Sequence, residues 1–302
     1  MTILIVSFRI TLVLIGMFWA TSCSAINNEL EIHLVGSTPG EESIKSMLSI
    51  SADANIDFIK WDLKLDSKKA FLLNITYGES QPNTLDFRGD GEKKIIKGKY
   101  FITINQDNPF KEVYRLMLDD SPEKISLLKL SENTFHILTF ENKLMIGNGG
   151  WSYSLNRKEP IDSGKILISS PMSDNKSLQI VFDGRTPCQE FVTEYPEMNA
   201  SPSCVKLKWK LILNRDSLTY LPTTCIIRNI VDNQPRDIIG KWEIIKGTKT
   251  NPNAIVYSVE VDNLTEPILL LVGDENVLYF LDKKRELLTG NENFSFALNK
   301  RI

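Results

Sequence analysis

The chain is poor in the residues that most catalytic and metal sites use. Its 302 residues include only two histidines and four cysteines. No Cys-x-x-Cys pair, no Gly-x-Ser-x-Gly nucleophile motif and no glycine-rich phosphate loop occurs in the sequence. Because a nucleophile needs a base within reach, His33 and His136 are the only imidazoles that could serve catalysis. We therefore predict that the protein is not an enzyme and that it holds no cofactor and no metal ion.

The charge pattern also excludes a class of partner. The net charge is −3 at pH 7, and no stripe of lysine and arginine runs along the sequence. Short basic runs such as Lys93-Lys94 are typical of turns between strands. We therefore expect no nucleic-acid partner. The hydrophobic content of 42% is that of an ordinary globular protein.

The N-terminal region is the longest apolar stretch of the chain. Residues 3–20 are almost entirely apolar and are followed by Thr21-Ser22-Cys23. Its core, residues 12–20, has the length of a signal-peptide core and is short for a membrane span. We predict a signal peptide over residues 1–22, a lipid such as palmitate on Cys23, and a tether over residues 23–29. Ordinary secretion and an uncleaved anchor are the alternatives.

A lipid on Cys23 predicts a location. It would hold the chain at a membrane of the cell envelope while the domains stay in water. We expect the outer membrane, and the pattern leaves open whether the chain faces the periplasm or the cell surface.

The sequence contains an internal duplication. Residues 268–300 align without gaps to residues 125–157 at an offset of 143, and residues 178–213 align to residues 30–65 at an offset of 148. A duplicated unit predicts two domains of the same fold. We place them at residues 30–158 and 177–302. The segment between them, residues 159–176, is rich in Pro, Ser and Asp and is predicted to be the linker, although its residues 165–170 could add a strand to either domain.

Within each copy, apolar and polar residues alternate over short segments separated by Gly, Asn or Asp. This pattern indicates about eight short antiparallel strands per copy, each with one apolar face. The predicted fold class is mainly β: two tandem antiparallel meander β-barrels, lipocalin-like, each with one short helix near its N-terminus. The helices are predicted at residues 41–48 and 189–194, with Thr38 and Thr186 as their N-caps.

Two cysteines are predicted to form a disulfide. Cys188 and Cys204 correspond to Gly40 and Ile56 in the first copy, so both are missing there together. An exported chain meets an oxidising environment in which such a bond persists. Cys225 is then a free buried thiol, and a Cys204–Cys225 bond is the alternative.

Large aromatic residues recur at matched places in the two copies. We predict that they face the barrel interiors and fill them. The alternative interpretation is that they line an incompletely filled cavity and contact a small apolar ligand. The residues are Trp61, Trp151, Trp209, Trp242 and Phe294. His136, whose counterpart is Tyr279, is predicted to be a half-buried packing residue.

Several of these motifs resemble a known group of proteins. Cys23 together with Gly98-Lys99-Tyr100, Val113-Tyr114, Gly240-Lys241-Trp242 and Val256-Tyr257 is similar to envelope lipoproteins of Bacteroidota whose domains resemble the N-terminal domain of NlpE, the copper-resistance lipoprotein. The resemblance implies a non-catalytic cell-envelope lipoprotein that binds or scaffolds an envelope protein partner, with a link to envelope or copper stress. The family's Cys-x-x-Cys pair is missing from both copies, so copper handling is not carried over. A lipocalin-like carrier of a small apolar ligand is the alternative function.

Overall fold

The computed structural model describes residues 32–105, 108–162, 177–231, 234–262 and 264–301. The predicted signal peptide, Cys23, the tether and most of the predicted linker, including residues 165–170, lie outside these ranges. Within them, no helix has both the length and the apolar character needed to cross a membrane.

The described residues form two closed antiparallel barrels of eight strands each, in which every strand pairs with the next and the last pairs with the first. Barrel 1 consists of β1 (Ile32–Pro39), β2 (Phe58–Leu65), β3 (Ala70–Gly78), β4 (Glu92–Asn105), β5 (Asn108–Leu118), β6 (Lys124–Lys129), β7 (Thr134–Leu138) and β8 (Ser154–Arg157). Barrel 2 consists of β9 (Gln179–Pro187), β10 (Lys206–Arg215), β11 (Pro222–Val231), β12 (Gln234–Lys246), β13 (Ile255–Val261), β14 (Ile268–Val272), β15 (Val277–Leu281) and β16 (Ala297–Lys300). The predicted fold class is confirmed.

Each barrel carries one short α-helix between its first two strands: α1 (Glu42–Met47) in barrel 1 and α2 (Cys188–Glu194) in barrel 2. Short 3-10 turns follow at Arg88–Asp90 and Pro196–Met198. Both helices lie where the sequence places them.

Alternation along the strands builds two separate interiors. In β2, Trp61, Leu63 and Leu65 are buried while the residues between them are half-buried. β10 repeats this pattern with Trp209 and Leu211. The inward side chains of each barrel form their own apolar cluster, so the two interiors are not continuous. Closure also leaves no free strand edge in either sheet.

The predicted N-caps are wrong. Thr38 and Thr186 lie inside β1 and β9, and both are fully buried. The Thr38 hydroxyl oxygen accepts a hydrogen bond from Trp61 Nε1 at 2.9 Å, and Thr186 accepts the equivalent bond from Trp209 at 2.8 Å. Buried indole N–H groups require an acceptor, and the two threonines supply it from within the strands. Helix α1 instead begins after Glu41, which makes no side-chain cap.

A third apolar cluster lies between the barrels. It joins Leu128 and Leu138 of barrel 1 to Leu271 and Leu281 of barrel 2. In β7, β14 and β15 every residue is buried, so the predicted one-sided alternation is wrong for these strands. Their outward side chains are covered by the other barrel. Uninterrupted apolar runs such as Ile268–Val272 are the sequence signal of strands buried on both faces.

Candidate functional site

Large apolar side chains pack inside both barrels. Trp61, Trp209 and Trp242 lie in the two cores and are at most 5% exposed. Inside barrel 2, between Trp209 and Phe280, an apolar cavity of about 10 Å³ remains. A single water molecule needs at least about 10–15 Å³ of this kind of space. This cavity is therefore too small for the apolar ligand of the carrier hypothesis.

Trp151 and Phe294 do not lie in either interior, so this part of the prediction is wrong for them. Trp151 is half-buried and stacks on Phe58 with ring centres 4.8 Å apart. Phe294 is buried beneath the ammonium of Lys206, 5.8 Å from its ring centre. Both residues come three positions before the last strand of their barrel, β8 or β16. They occupy the space between the barrels.

The disulfide prediction is confirmed. Cys188 and Cys204 are bonded, and they link the first residue of α2 to the segment that leads into β10. In barrel 1 the equivalent residues, Gly40 and Ile56, are in close contact, since a Cβ added to Gly40 would lie only 2.3 Å from Ile56 Cγ2. Cys225 is free and fully buried, as predicted, and burial raises the pKa of its thiol to about 11. The alternative pairing with Cys204 is thereby excluded.

Equivalent residues of the two copies contact each other across the interface. The backbone N–H of Gly147 donates to Asn299 Oδ1 at 2.7 Å, and that of Gly290 donates to Asn156 Oδ1 at 3.0 Å. At the offset of 143, Gly147 corresponds to Gly290 and Asn156 to Asn299, so these two bonds are reciprocal. The barrels are therefore related by a pseudo-two-fold axis.

His136 lies on this axis and is fully buried, which corrects its prediction as half-buried. Its Nε2 donates to the Met145 carbonyl at 2.9 Å, so its Nδ1 accepts from the Tyr279 hydroxyl at 2.8 Å. Burial lowers the pKa of His136 to about 4, which keeps the ring neutral at pH 7. The other histidine, His33, contacts Asp62 on the outside of barrel 1 at 3.2 Å.

The interface is not symmetric throughout. Asn156 Nδ2 donates to the Asn291 carbonyl at 3.1 Å, whereas Asn299 Nδ2 is buried without a hydrogen-bond partner among the described residues. On that side an open polar groove of about 380 Å³ separates the barrels. It is lined in part by Glu41, Asp183 and Asn299.

A second opening lies on the pseudo-two-fold axis, and we call it the cationic cleft. Its volume is about 30 Å³. Three pairs of equivalent residues meet in it: Ser37 with Arg185, Phe58 with Lys206, and Trp151 with Phe294. Its remaining lining residues are Ser80, Thr84, Leu85 and Asn293. Barrel 2 thus supplies both positive charges, and barrel 1 supplies most of the hydroxyl and apolar wall.

The two cations of the cleft face aromatic rings. The guanidinium carbon of Arg185 lies 5.4 Å from the centre of the Trp151 ring, within cation–π range. Neither Arg185 nor Lys206 makes an ion pair among the described residues. Burial lowers the pKa of both side chains, and for Lys206 the charges of Arg185 and Lys208 lower it further. The sequence pattern did not indicate this site, because it forms only where the two barrels meet.

The outer faces of β4 and β5 differ in charge from their counterparts in barrel 2. In barrel 1, Ile95, Phe101 and Met117 are 65%, 46% and 40% exposed, and the exposed Lys97 and Lys99 lie between them. We call these five residues the basic apolar face.

The equivalent positions in barrel 2 follow from the strand pairing, because the pairing of Gly98 with Leu118 matches that of Gly240 with Val261. The counterparts in barrel 2 are Asp237, Glu243 and Glu260 for the apolar residues, and Ile239 and Lys241 for the lysines.

Within the described ranges, no three His, Cys, Asp or Glu side chains are grouped so that they could hold a metal ion. The cationic cleft presents positive charge between aromatic walls, and the basic apolar face presents charge beside exposed apolar groups.

No family model matches the chain, and no curated protein matches it. Among solved structures, the chain is similar to the crystal structure of the Cpx pathway activator NlpE from Escherichia coli, with 9% sequence identity and a TM-score of 0.25. The match covers 78% of this chain and 94% of that chain. Because this TM-score is low, the fold is assigned from the strand pairing of the two barrels alone.

Proposed function

We propose that this chain is a non-catalytic cell-envelope lipoprotein, held to a membrane by a lipid on Cys23, whose tandem barrels bind or scaffold through their outer surfaces. Both histidines are engaged in structural contacts, His33 with Asp62 and His136 with Tyr279, which supports a non-catalytic role. We also propose a link to envelope or copper stress, which the sequence resemblance implies.

The observation that carries the proposal is the difference between the outer faces of the two barrels. The duplicated strands keep the same pairing, yet the three apolar residues of the basic apolar face correspond to acidic residues in barrel 2, and one of its two lysines corresponds to Ile239. Anionic lipids attract lysines near a membrane surface, and exposed apolar side chains such as Phe101 enter its interfacial layer. We therefore expect barrel 1 to face the membrane and barrel 2 to face away from it.

The experiment has two arms. Cys23→Ala is expected to abolish metabolic labelling with radioactive palmitate and to release the chain from the membrane fraction. Labelling that persists in this variant overturns the lipid anchor.

The second arm tests the orientation with the Cys23→Ala chain and vesicles of phosphatidylcholine with phosphatidylglycerol. Lys99→Gln is expected to lower the vesicle affinity about fivefold, because one lysine near an anionic surface contributes about 1 kcal/mol. Lys241→Gln, at the equivalent position of barrel 2, is the matched control and is expected to leave the affinity unchanged. Equal losses in both variants contradict the orientation.

A further inference from the structure

We propose that the cationic cleft binds a carboxylate group, carried either by a small organic acid or by the end of a peptide. Arg185 and Lys206 hold the carboxylate, and the rings of Trp151 and Phe294 form its walls.

The first argument is the uncompensated charge. Arg185 and Lys206 lie on adjacent strands, since Arg185 is paired with Lys208 and Lys206 with Pro187. Such diagonal neighbours are typically about 7–8 Å apart, a distance at which two positive charges repel. Both side chains are half-buried, and a charge taken out of water normally has an opposite partner.

Two carboxylates beside the cleft are already engaged. Asp57, next to the lining residue Phe58, accepts hydrogen bonds from the backbone N–H and the hydroxyl of Ser80, both at 2.7 Å. Asp86, next to Leu85, pairs with Lys60 at 3.6 Å. No carboxylate of the described residues forms an ion pair with Arg185 or Lys206, so a ligand can supply the anion.

The second argument is the divergence between the two copies. The cleft lies on the pseudo-two-fold axis, where equivalent residues face each other. Barrel 1 has Ser37 and Phe58 at the positions of Arg185 and Lys206. A serine and a phenylalanine suffice to pack this part of the module in barrel 1, so packing of the shared fold does not account for the two cations in barrel 2.

The third argument is size and shape. The cleft volume of about 30 Å³ is the space of about two water molecules. A carboxylate has two oxygens in one plane and matches the planar fork of an arginine, which donates two parallel hydrogen bonds to it. A lysine ammonium can complete the site as a point charge.

The test is a titration of the Cys23→Ala chain at low ionic strength, followed by calorimetry and by tryptophan fluorescence, since Trp151 lines the cleft. The probes are acetate, acetyl-Gly-Gly with a free C-terminus, and the same peptide as its amide. We expect saturable binding of at least one free carboxylate and no binding of the amide. Saturation by acetate alone indicates a small acid, and saturation by the peptide indicates a chain terminus. No saturation by either carboxylate, or equal binding of the amide, overturns the proposal.

Variants locate the binding. Arg185→Gln and Lys206→Gln are each expected to weaken it about tenfold, the effect of losing one charge-assisted hydrogen bond. Lys210→Gln removes the same charge from the same face of β10 outside the cleft, and it is expected to change the affinity less than about twofold. If Arg185→Gln fails to fold because the contact with Trp151 is lost, Lys206→Gln serves as the test variant. Equal effects of Lys206→Gln and Lys210→Gln overturn the assignment.

This inference rests on the proposed function, because it names the class of ligand that the protein binds. The two can fail separately, because the titration involves no membrane and the labelling experiment involves no carboxylate ligand.

Discussion

Ser152 and Ser295 are hydrogen-bonded to each other, with their hydroxyl oxygens 2.5 Å apart and both side chains buried. They are also equivalent residues, 143 positions apart in a chain whose two copies align at that offset. A residue that touches its own counterpart lies on the axis that relates the copies. The pair therefore marks the centre of the interface, together with His136 and Tyr279.

The two interface asparagines provide a comparison within one molecule. Asn156 makes two hydrogen bonds across the interface, to Gly290 and Asn291, whereas Asn299 makes one, to Gly147. Asn156→Ala is therefore expected to lower the free energy of unfolding by about 1 kcal/mol more than Asn299→Ala, the typical contribution of one hydrogen bond. Urea denaturation measures both values. Equal losses would show that the missing partner of Asn299 Nδ2 has no energetic consequence.

The buried threonine–tryptophan pairs are expected to act independently. Thr38→Val and Thr186→Val each leave an indole N–H without its acceptor, and each should cost about 1–3 kcal/mol of folding free energy. The pairs lie in separate cores, so the loss in the double variant should be the sum of the two single losses. Thr→Ser at either position keeps the hydroxyl and serves as the control. A valine variant as stable as its serine control would contradict the role of the hydroxyl.

Stability is expected to fall as the pH drops from 6.5 to 4, in part through His136. The unfolded chain, whose histidine titrates near 6.5, takes up the proton first, because burial lowers the pKa of His136 to about 4 in the folded state. The stability from neutral His136 is therefore present above pH 6.5 and lost toward pH 4. A difference of about 2.5 pKa units corresponds to about 3 kcal/mol.

The measurement is the denaturation free energy of the wild type and of His136→Gln, compared at each pH between 7 and 4. The glutamine does not titrate, so the difference between the two proteins isolates His136 from the carboxylates. A difference in denaturation free energy between the two proteins that stays the same at every pH would contradict the prediction.

The disulfide is expected to stabilise barrel 2. Its cysteines are 16 positions apart, and closing a loop of this size contributes about 3 kcal/mol in the chain-entropy model. A reducing agent should lower the melting temperature of the wild type and of Cys225→Ala, and it should leave the double variant Cys188→Ala/Cys204→Ala unchanged. Sensitivity of that double variant to reductant would point to a different bond.

The sequence predicts features that depend on neighbouring residues and features that can be compared between the two copies. Trp61, Leu63 and Leu65 alternate with polar residues, and this period is enough to place them in an interior. The loss of Cys188 and Cys204 together from one copy is enough to pair them.

Contacts between the copies follow from the relative placement of the barrels, which no local pattern encodes. Trp151 and Phe294 recur in both copies because both line the interface, and recurrence alone cannot distinguish an interface from a core. The capping prediction for Thr38 fails for a related reason, since its capping motif is local and its indole partner, Trp61, is 23 residues away.

Reciprocal contacts about a two-fold axis are those that two identical chains make when they associate as a homodimer. Identical subunits must carry the same residue on both sides of such an axis, so a charge placed at one position is placed at the other as well. Covalent fusion of the two halves removes this constraint, and it lets Arg185 face an aromatic wall instead of a second arginine. Fusion also keeps the effective concentration of the halves high, so the contact need not be tight enough to hold separate subunits together.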